Sequence, residues 1–243
     1  MIKHVLLVIA FSLGTFTNLN AQDKGQAPKT KTISIKKGQS LDLLNGIRKE
    51  GTDEALKEYF GEVFPPAGKH GFKIDGSFIT IDIPTKGNYH SNFLSIMSWP
   101  GEHARNNFFK ESKNMTYDFN HERKYIWSVY NFTEYGNLDQ GIEFTVSSDK
   151  VYVITHYWVN DMTAFQNAKK NASSKMKAAG GTLKMLLGKG NSPTGYLYEP
   201  DVISITEWNS SDAFKKYLKS TDEAVNDAGT KNVYQWITKF LFQ

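Results

Sequence analysis

The chain of 243 residues contains no cysteine. Disulfides, thiolate nucleophiles and thiolate metal ligands are therefore excluded, and packing alone must hold the fold together. Long hydrophobic runs are scarce too. The most extended, Val5 to Leu13, falls well short of the roughly 20 residues that a membrane-spanning helix requires. We therefore expect no membrane partner.

Strong charge of one sign is also lacking, since the formal net charge is only +4 and the basic residues are dispersed. A nucleic-acid partner is not expected, because such proteins cluster lysine and arginine on one face. Glycine-rich phosphate loops, Gly-x-Ser-x-Gly elbows and closely spaced histidine pairs are missing as well. We therefore predict no metal site and no cofactor.

The amino terminus predicts export. Met1 to Ala21 combines a basic start at Lys3, a short apolar run and a small residue before a polar stretch, which is typical of a secretory signal peptide. We expect a periplasmic or secreted protein. Residues 22–31 are polar and lysine-rich, which predicts a flexible lead-in.

Two stretches of the chain resemble each other without a gap. FLSIMSWPGEHARNNFFKES starts at Phe93 and VISITEWNSSDAFKKYLKS at Val202, and the alignment places Trp99 on Trp208. We call the separation between these two tryptophans the repeat spacing. This predicts a tandem repeat, with a first half over 32–135 and a second over 142–243.

The repeat spacing also pairs two isoleucines and two aromatic residues. Ile96 matches Ile205, and Phe108 matches Tyr217. We expect the isoleucines to be buried beneath the short helices that carry the aromatic residues, because a sheet must meet a helix there.

Hydrophobic periodicity predicts the order β-α-β-β-α-β in each half. In the first half, Thr32 to Lys37 predicts the first strand, Leu41 to Lys49 and Thr52 to Lys69 predict helices, and Lys124 to Phe132 predicts the fourth strand. Pro65-Pro66 should distort or end the second helix. We predict an α+β fold in which two ferredoxin-like halves form a barrel within one chain.

The second half resembles the dimeric α+β barrel superfamily, which includes antibiotic-biosynthesis-monooxygenase-like domains. The resemblance rests on the strand VYVITHYWV from Val151, the helix start Asp161-x-x-x-Phe165, Gly180-Gly181, and the strand and helix ISITEWNSSDAFKKYLKS. It implies the barrel fold, and it carries over no catalytic residue, because the fold serves unrelated reactions.

His156 is the first candidate catalytic residue. A histidine within an apolar strand is either a hydrogen-bonded core residue or a general base. Alternation along the strand places Tyr152, Ile154, His156 and Trp158 on one face, which we expect to point into the barrel.

Tyrosine and arginine provide the other candidates. Tyr130 and Tyr125 could act as an acid or an oxyanion donor, and the alternative for each is a packed ring. Arg123 and His121 are expected at the barrel mouth, where Arg123 would bind a carboxylate. The alternative for both residues is a solvated loop. We assign substrate binding to Arg123, His121 and the strand residue Trp158.

Two functions of different class follow. The first is an exported, cofactor-independent lyase, dehydratase or isomerase that acts on a small acidic substrate, such as a uronic-acid-containing oligosaccharide. The alternative is a non-catalytic or haem-binding periplasmic protein, because two-repeat chains of the resembled superfamily include haem proteins. The expected assembly is a monomer or a homodimer.

Overall fold

The computed structural model describes residues 27–89, 91–193, 198–221 and 227–242. The predicted signal peptide over 1–21 lies outside the described residues. Within the described ranges, no helix is both long and apolar enough to cross a membrane.

Fifteen helices and strands follow one another in these ranges. The first eight are β1 (Thr30–Ile35), β2 (Ser40–Arg48), α1 (Asp53–Lys69), β3 (Lys73–Thr80), β4 (Phe93–Trp99), α2 (Glu102–Ser112), α3 (Phe119–Ile126) and β5 (Trp127–Tyr135). The next seven are β6 (Ile142–Ser147), β7 (Val151–Val159), α4 (Met162–Ala178), β8 (Thr182–Leu187), β9 (Val202–Trp208), α5 (Ser211–Ser220) and β10 (Thr230–Phe240).

Eight strands form one antiparallel sheet in the order β5-β2-β4-β3-β10-β7-β9-β8. Each half contributes four neighbouring strands in the order of a ferredoxin-like unit, and β3 pairs with β10 where the halves meet. At the two edges of the sheet, the backbone groups of Glu134 on β5 and of Asn191, which follows β8, exchange hydrogen bonds of 2.8 Å in both directions. The sheet therefore closes into a barrel, and the predicted α+β barrel fold is confirmed.

The two tryptophans of the matched stretches occupy equivalent places. Trp99 is the last residue of β4 and Trp208 the last residue of β9. Helices α1 and α4 begin at Asp53 and Met162, which are also separated by the repeat spacing. The predicted order β-α-β-β-α-β thus describes both halves, with α3 as an addition to the first.

A second, two-stranded sheet consists of β1 and β6. Ile33, Ile35, Phe144 and Val146 from this sheet share one buried cluster with the residues inside the barrel. Tyr152, at the start of β7, bonds Ser147 at the end of β6, so this sheet packs at the barrel end where β7 begins. The prediction of Thr32 to Lys37 as the first strand of the repeated unit was therefore wrong.

The first strand of that unit is β2, in the segment predicted as a helix over Leu41 to Lys49. Leu41 and Leu43 face the barrel interior, whereas Leu44 packs on the helix side. Because both faces are buried, the strand lacks polar alternation, and an apolar run of this kind cannot be distinguished from a buried helix by periodicity.

Two further predictions about the first half need correction. The fourth strand begins at Trp127 and not at Lys124, because the preceding residues form helix α3. Asp118 stabilises the start of this helix by accepting bonds of 3.0 Å from the backbone N–H groups of Asn120 and His121. Helix α1 continues through Pro65 and Pro66 to Lys69. Its apolar face is buried against the sheet, and this packing offsets the bonds that proline cannot make.

The barrel has two buried faces. Ile96 and Ile205 are fully buried as expected, but they belong to the interior cluster. Phe108 and Tyr217 lie in clusters on the helix side. The isoleucines therefore do not pack beneath these helices. Residues of one parity along each strand point inward and their neighbours point outward.

Candidate functional sites on the two faces of the barrel

The six predicted site residues separate into three places. Arg123 and Tyr130 line a cavity between the sheet and the helices of the first half. His156 and Trp158 belong to an aromatic cluster at one end of the barrel. Tyr125 and His121 are exposed on α3, and the structure brings neither of them into these two groups.

The helix-side cavity of the first half has a volume of about 490 Å³, which lies within the usual range for small-molecule sites. Its walls are mainly apolar and include Leu44, Phe60, Phe64, Ala67, Phe72 and Met97. Helix α1 and strands β2, β3 and β4 provide most of these side chains. The cavity is therefore shaped for an apolar molecule.

The second half does not carry the same aromatic wall. The repeat spacing places Phe60, Phe64 and Phe72 on Lys169, Ser173 and Gly181. A side chain at position 181 would collide with the ring of Trp208, whose nearest atom lies 2.6 Å from where a Cβ would be. The aromatic wall is therefore a property of the first half alone.

Cationic side chains lie at one part of the cavity. Arg123 donates from Nε to the Tyr59 hydroxyl at 2.8 Å, and its guanidinium lies 5.1 Å from the centre of the Tyr130 ring. Arg48 also lines the cavity and pairs with Asp53 at 2.7 Å. Because guanidinium groups carry five N–H donors, both arginines can bind a carboxylate while keeping these contacts.

A buried ion network lies next to the cavity. Asp42, which lines the cavity, accepts bonds from Arg105 Nε at 2.9 Å and from Trp99 Nε1 at 2.7 Å. Arg105 Nη2 also contacts Glu134. Burial raises the pKa of Asp42 to about 6, although Arg105 opposes this shift. A carboxyl that titrates near neutral pH in a cavity is a candidate functional group.

Sequence analysis missed Asp42. Because the segment from Leu41 to Lys49 was predicted as a helix, the prediction did not assign Asp42 to a face of the sheet. In the structure, Asp42 lies on β2 and points to the helix side, as Leu44 does. The signal that could have found it is a lone carboxylate in an apolar run, because such a residue is buried only when it is paired.

His156 points into the barrel, as predicted, on the same face as Tyr152 and Ile154. Its Nδ1 lies 2.8 Å from the Tyr198 hydroxyl, and its ring centre lies 5.0 Å from that of Trp236. Complete burial lowers the pKa of His156 to about 3. The imidazole is therefore neutral, as expected for either a base or a core histidine.

The candidate catalytic residue His156 and the candidate substrate-binding residue Arg123 lie in different sites. His156 lies on the interior face of the barrel, whereas Arg123 lines the helix-side cavity. A proton acceptor and the cation that stabilises the resulting charge must both contact one substrate. These two side chains are separated by the sheet, so one substrate cannot contact both.

The helix-side cavity does not offer the ligands of a histidine-bound haem. Among the described lining residues there is no histidine, and the side chains of the types that usually ligate haem iron are the phenols of Tyr59 and Tyr130 and the thioether of Met97. Tyr59 accepts a bond from Arg123. Burial raises the pKa of Tyr130 far above its usual value, which keeps the phenol protonated. The lining of this cavity therefore does not fit a histidine-bound haem. Within the described ranges, no group of three histidine or acidic residues could hold a metal ion.

Neither a protein-family model nor the sequence of a curated protein matches this chain. Solved structures do match its fold. An anthrone oxidase-like protein shares 16% sequence identity with a TM-score of 0.50, over 86% of this chain and 94% of that one. This similarity supports the α+β barrel fold.

Two other structures match less closely. A putative monooxygenase from Lactobacillus acidophilus is 12% identical, with a TM-score of 0.42 over 84% of this chain and 94% of that one. A mutant chlorite dismutase from Candidatus Nitrospira defluvii is 11% identical, with a TM-score of 0.48 over 86% of this chain and 93% of that one.

The predicted elimination on an acidic oligosaccharide was wrong. The anthrone oxidase-like protein that shares the fold of this chain is not described as a lyase. The separation of His156 from Arg123 by the sheet gives the physical reason. Of the two predicted functions, the ligand-binding alternative agrees better with the structure.

Proposed function

We propose that this protein binds a flat, apolar small molecule that carries a carboxylate, in the helix-side cavity of its first half. The single observation that carries this proposal is the aromatic cavity of about 490 Å³ with Arg48 and Arg123 in its lining. Apolar walls with few polar groups are typical of small-molecule sites, in which the polar groups fix the orientation of the ligand.

The orientation of the ligand follows from the position of the charges. Phe60 and Phe64 stack at 4.6 Å with an angle of 13° between their planes, which presents a flat aromatic surface. A flat ligand can pack on such a surface with its rings offset. Its carboxylate would then face Arg123, since a charge-assisted bond to a guanidinium is stronger than a neutral one.

Two broader proposals accompany this function. Because the matched elements lie at the repeat spacing and both halves have one strand order, we propose that the chain is a tandem repeat in which the first half keeps the ligand site. The N-terminal pattern of 1–21 supports export, so we propose that the protein meets its ligand in the periplasm or outside the cell.

Replacing Arg123 with glutamine tests the binding proposal. The probe is 1-anilinonaphthalene-8-sulfonate, an aromatic anion whose sulfonate takes the place of the carboxylate and which becomes fluorescent in apolar surroundings. We expect the dissociation constant to rise about tenfold, because losing a bond to a charged group costs about 1.4 kcal/mol or more. Fluorescence titration measures this change.

The matched control is Lys189→Gln, which removes a cation that is exposed and lies 3.7 Å from Glu199. It should leave the affinity unchanged. Equal affinities for the Arg123→Gln variant and the wild type would contradict the proposed site. A separate addition of haemin, followed near 400 nm, should give no Soret band of a histidine-bound haem.

A further inference from the structure

The interior of the barrel contains three buried N–H-bearing groups without a hydrogen-bond partner in the described part of the chain. They are Asn45 Nδ2, His156 Nε2 and Trp236 Nε1. Each of these side chains is fully buried. Buried polar groups in proteins are almost always bonded, so three such groups in one region point to an acceptor that the protein itself does not provide.

His156 acts as a donor in this region. The Tyr198 hydroxyl lies 2.8 Å from His156 Nδ1, and burial raises the pKa of Tyr198 well above its usual value. The hydroxyl therefore keeps its proton. Among the described residues its hydrogen-bond partner is His156 Nδ1, so we assign the hydroxyl as the donor and Nδ1 as the acceptor. In a neutral imidazole the other nitrogen then carries the hydrogen, so His156 presents Nε2–H.

Asn45 is held in an equivalent way from the opposite side of the barrel. The Tyr89 hydroxyl donates to Asn45 Oδ1 at 3.1 Å and accepts a bond of 2.9 Å from Asn131 Nδ2. These bonds orient the amide so that Asn45 Oδ1 accepts a hydrogen bond and the Nδ2 group has no hydrogen-bond partner among the described residues. Tyr89 and Tyr198 are separated by the repeat spacing, and each orients one donor.

Aromatic rings surround these donors. Four half-buried rings make contacts with centroid distances of 5.0 to 5.6 Å, namely Tyr89, Trp158, Tyr198 and Tyr234. Trp236 lies beneath them, with its ring centre 5.0 Å from that of His156. We call these four rings, with Asn45, His156 and Trp236, the barrel-end cluster.

The turn that precedes Tyr89 lies close against the ring of Tyr234 in this cluster. Gly87 has φ of +75°, and a Cβ there would lie 2.2 Å from the Tyr234 ring. Glycine is therefore required, both for the backbone conformation and for the close approach. The loop that carries Tyr89 is thus held against Tyr234 at the barrel end.

We propose that the barrel-end cluster binds a small, neutral, flat molecule with a carbonyl oxygen, such as an aromatic ketone, and that His156 Nε2–H and Trp236 Nε1–H donate to this oxygen. The three unpartnered N–H groups are donors, so a ligand that bonds them must be an acceptor. The three donors are neutral and buried, so a carboxylate would lose its hydration without gaining a countercharge. Aromatic walls favour a flat ring by offset and edge-to-face contacts.

This site is separate from the helix-side cavity, because the sheet lies between them. The two sites also differ in the ligand that they select. The cavity offers cations to an acid, whereas the barrel-end cluster offers neutral donors to a carbonyl group. Blocking one site should therefore leave the other unchanged.

Acetophenone, titrated into the full chain and followed by infrared spectroscopy, tests this inference. The carbonyl stretch of bound acetophenone should move to lower frequency than in an apolar solvent, because two N–H groups polarise the bond. The Trp236→Phe variant keeps an aromatic ring and loses one donor. We expect its affinity to fall about fivefold and the frequency shift to become smaller.

Trp208→Phe is the matched control, since Trp208 is also buried but its Nε1 donates to Thr206 Oγ1 at 2.9 Å on the helix side. This variant should bind acetophenone with the wild-type frequency shift. If Trp236→Phe fails to fold, His156→Gln, which retains an N–H donor, should keep the shift and His156→Phe should weaken it.

Two results would overturn the inference. One is a wild-type protein whose acetophenone spectrum shows no shifted band up to the solubility limit, which would mean that an internal water satisfies the donors. The other is a folded Trp236→Phe variant with the affinity and band position of the wild type.

Discussion

Replacing Arg105 with leucine is expected to lower the free energy of unfolding by about 3 to 5 kcal/mol. The Arg105 side chain is 6% exposed and contacts Asp42 and Glu134. Its removal leaves two carboxylates without a countercharge in a region of low dielectric constant. The Asn191 amide bonds Glu134 at 2.8 Å, so the loss also weakens the closure of the barrel. Chemical denaturation measures this effect.

The destabilisation should depend on pH in a defined direction. Arg105 lowers the pKa of Asp42, which burial raises from 3.8 to about 6. Without Arg105 the pKa of Asp42 rises further. Above about pH 4 the Asp42 carboxyl therefore still holds its proton in the folded state, whereas in the unfolded state it has lost it. The stability of the variant should therefore fall as pH rises from 4 to 7, more steeply than that of the wild type.

The control for this change is an arginine in an exposed ion pair. Arg48 pairs with Asp53, whose side chain is 61% exposed, and Arg48→Leu should cost only about 0.2 to 1 kcal/mol. If Arg105→Leu were no more destabilising than Arg48→Leu, the buried network would not stabilise the fold in the way described.

Replacing Ala67 with phenylalanine is expected to raise the dissociation constant of the naphthalene probe by roughly 10- to 100-fold. Ala67 lies on α1, is 1% exposed and lines the helix-side cavity. A phenyl ring there occupies the space of the ligand, and overpacking a filled site costs about 1 to 3 kcal/mol. The empty cavity accepts the ring in the absence of ligand, so the variant should fold.

Ala168→Phe is a control in which a buried helix alanine of the second half is enlarged in the same way. Ala168 lies on α4 and is 5% exposed. Its side chain is buried on the helix side of the second half, so a larger side chain there should reduce stability while leaving the probe affinity unchanged. Equal weakening of probe binding by both variants would show that the probe does not occupy the first half.

The second half was easier to predict than the first, and particular residues explain why. Asp161 and Gly180 mark the ends of α4 by capping and by a positive φ, so local signals define that helix. In β2, both faces of the strand are buried, and local sequence does not distinguish it from a helix. The strand is defined by pairing with β4 and β5, which lie far away along the chain.

The candidate sites could be predicted only in part for the same reason. Strand alternation along β7 placed His156 inside the barrel, because that periodicity is local. Arg123 was predicted because arginine commonly binds carboxylates. That it lies on the other side of the sheet from His156 follows only from the closed barrel, which local sequence does not reveal. Asp42 and Asn45 were missed because their segment was assigned to a helix. A pocket made by several distant elements leaves no local pattern.

The most direct test of ligand binding in the first half uses methionine methyl groups labelled with carbon-13. Met97 lines the helix-side cavity, Met185 belongs to the barrel interior, and Met176 packs on the helix side of the second half. Titration with 2-naphthoic acid should shift the Met97 resonance and leave those of Met176 and Met185 in place. A shift of Met176 or Met185 while Met97 stays unchanged would contradict the proposed site.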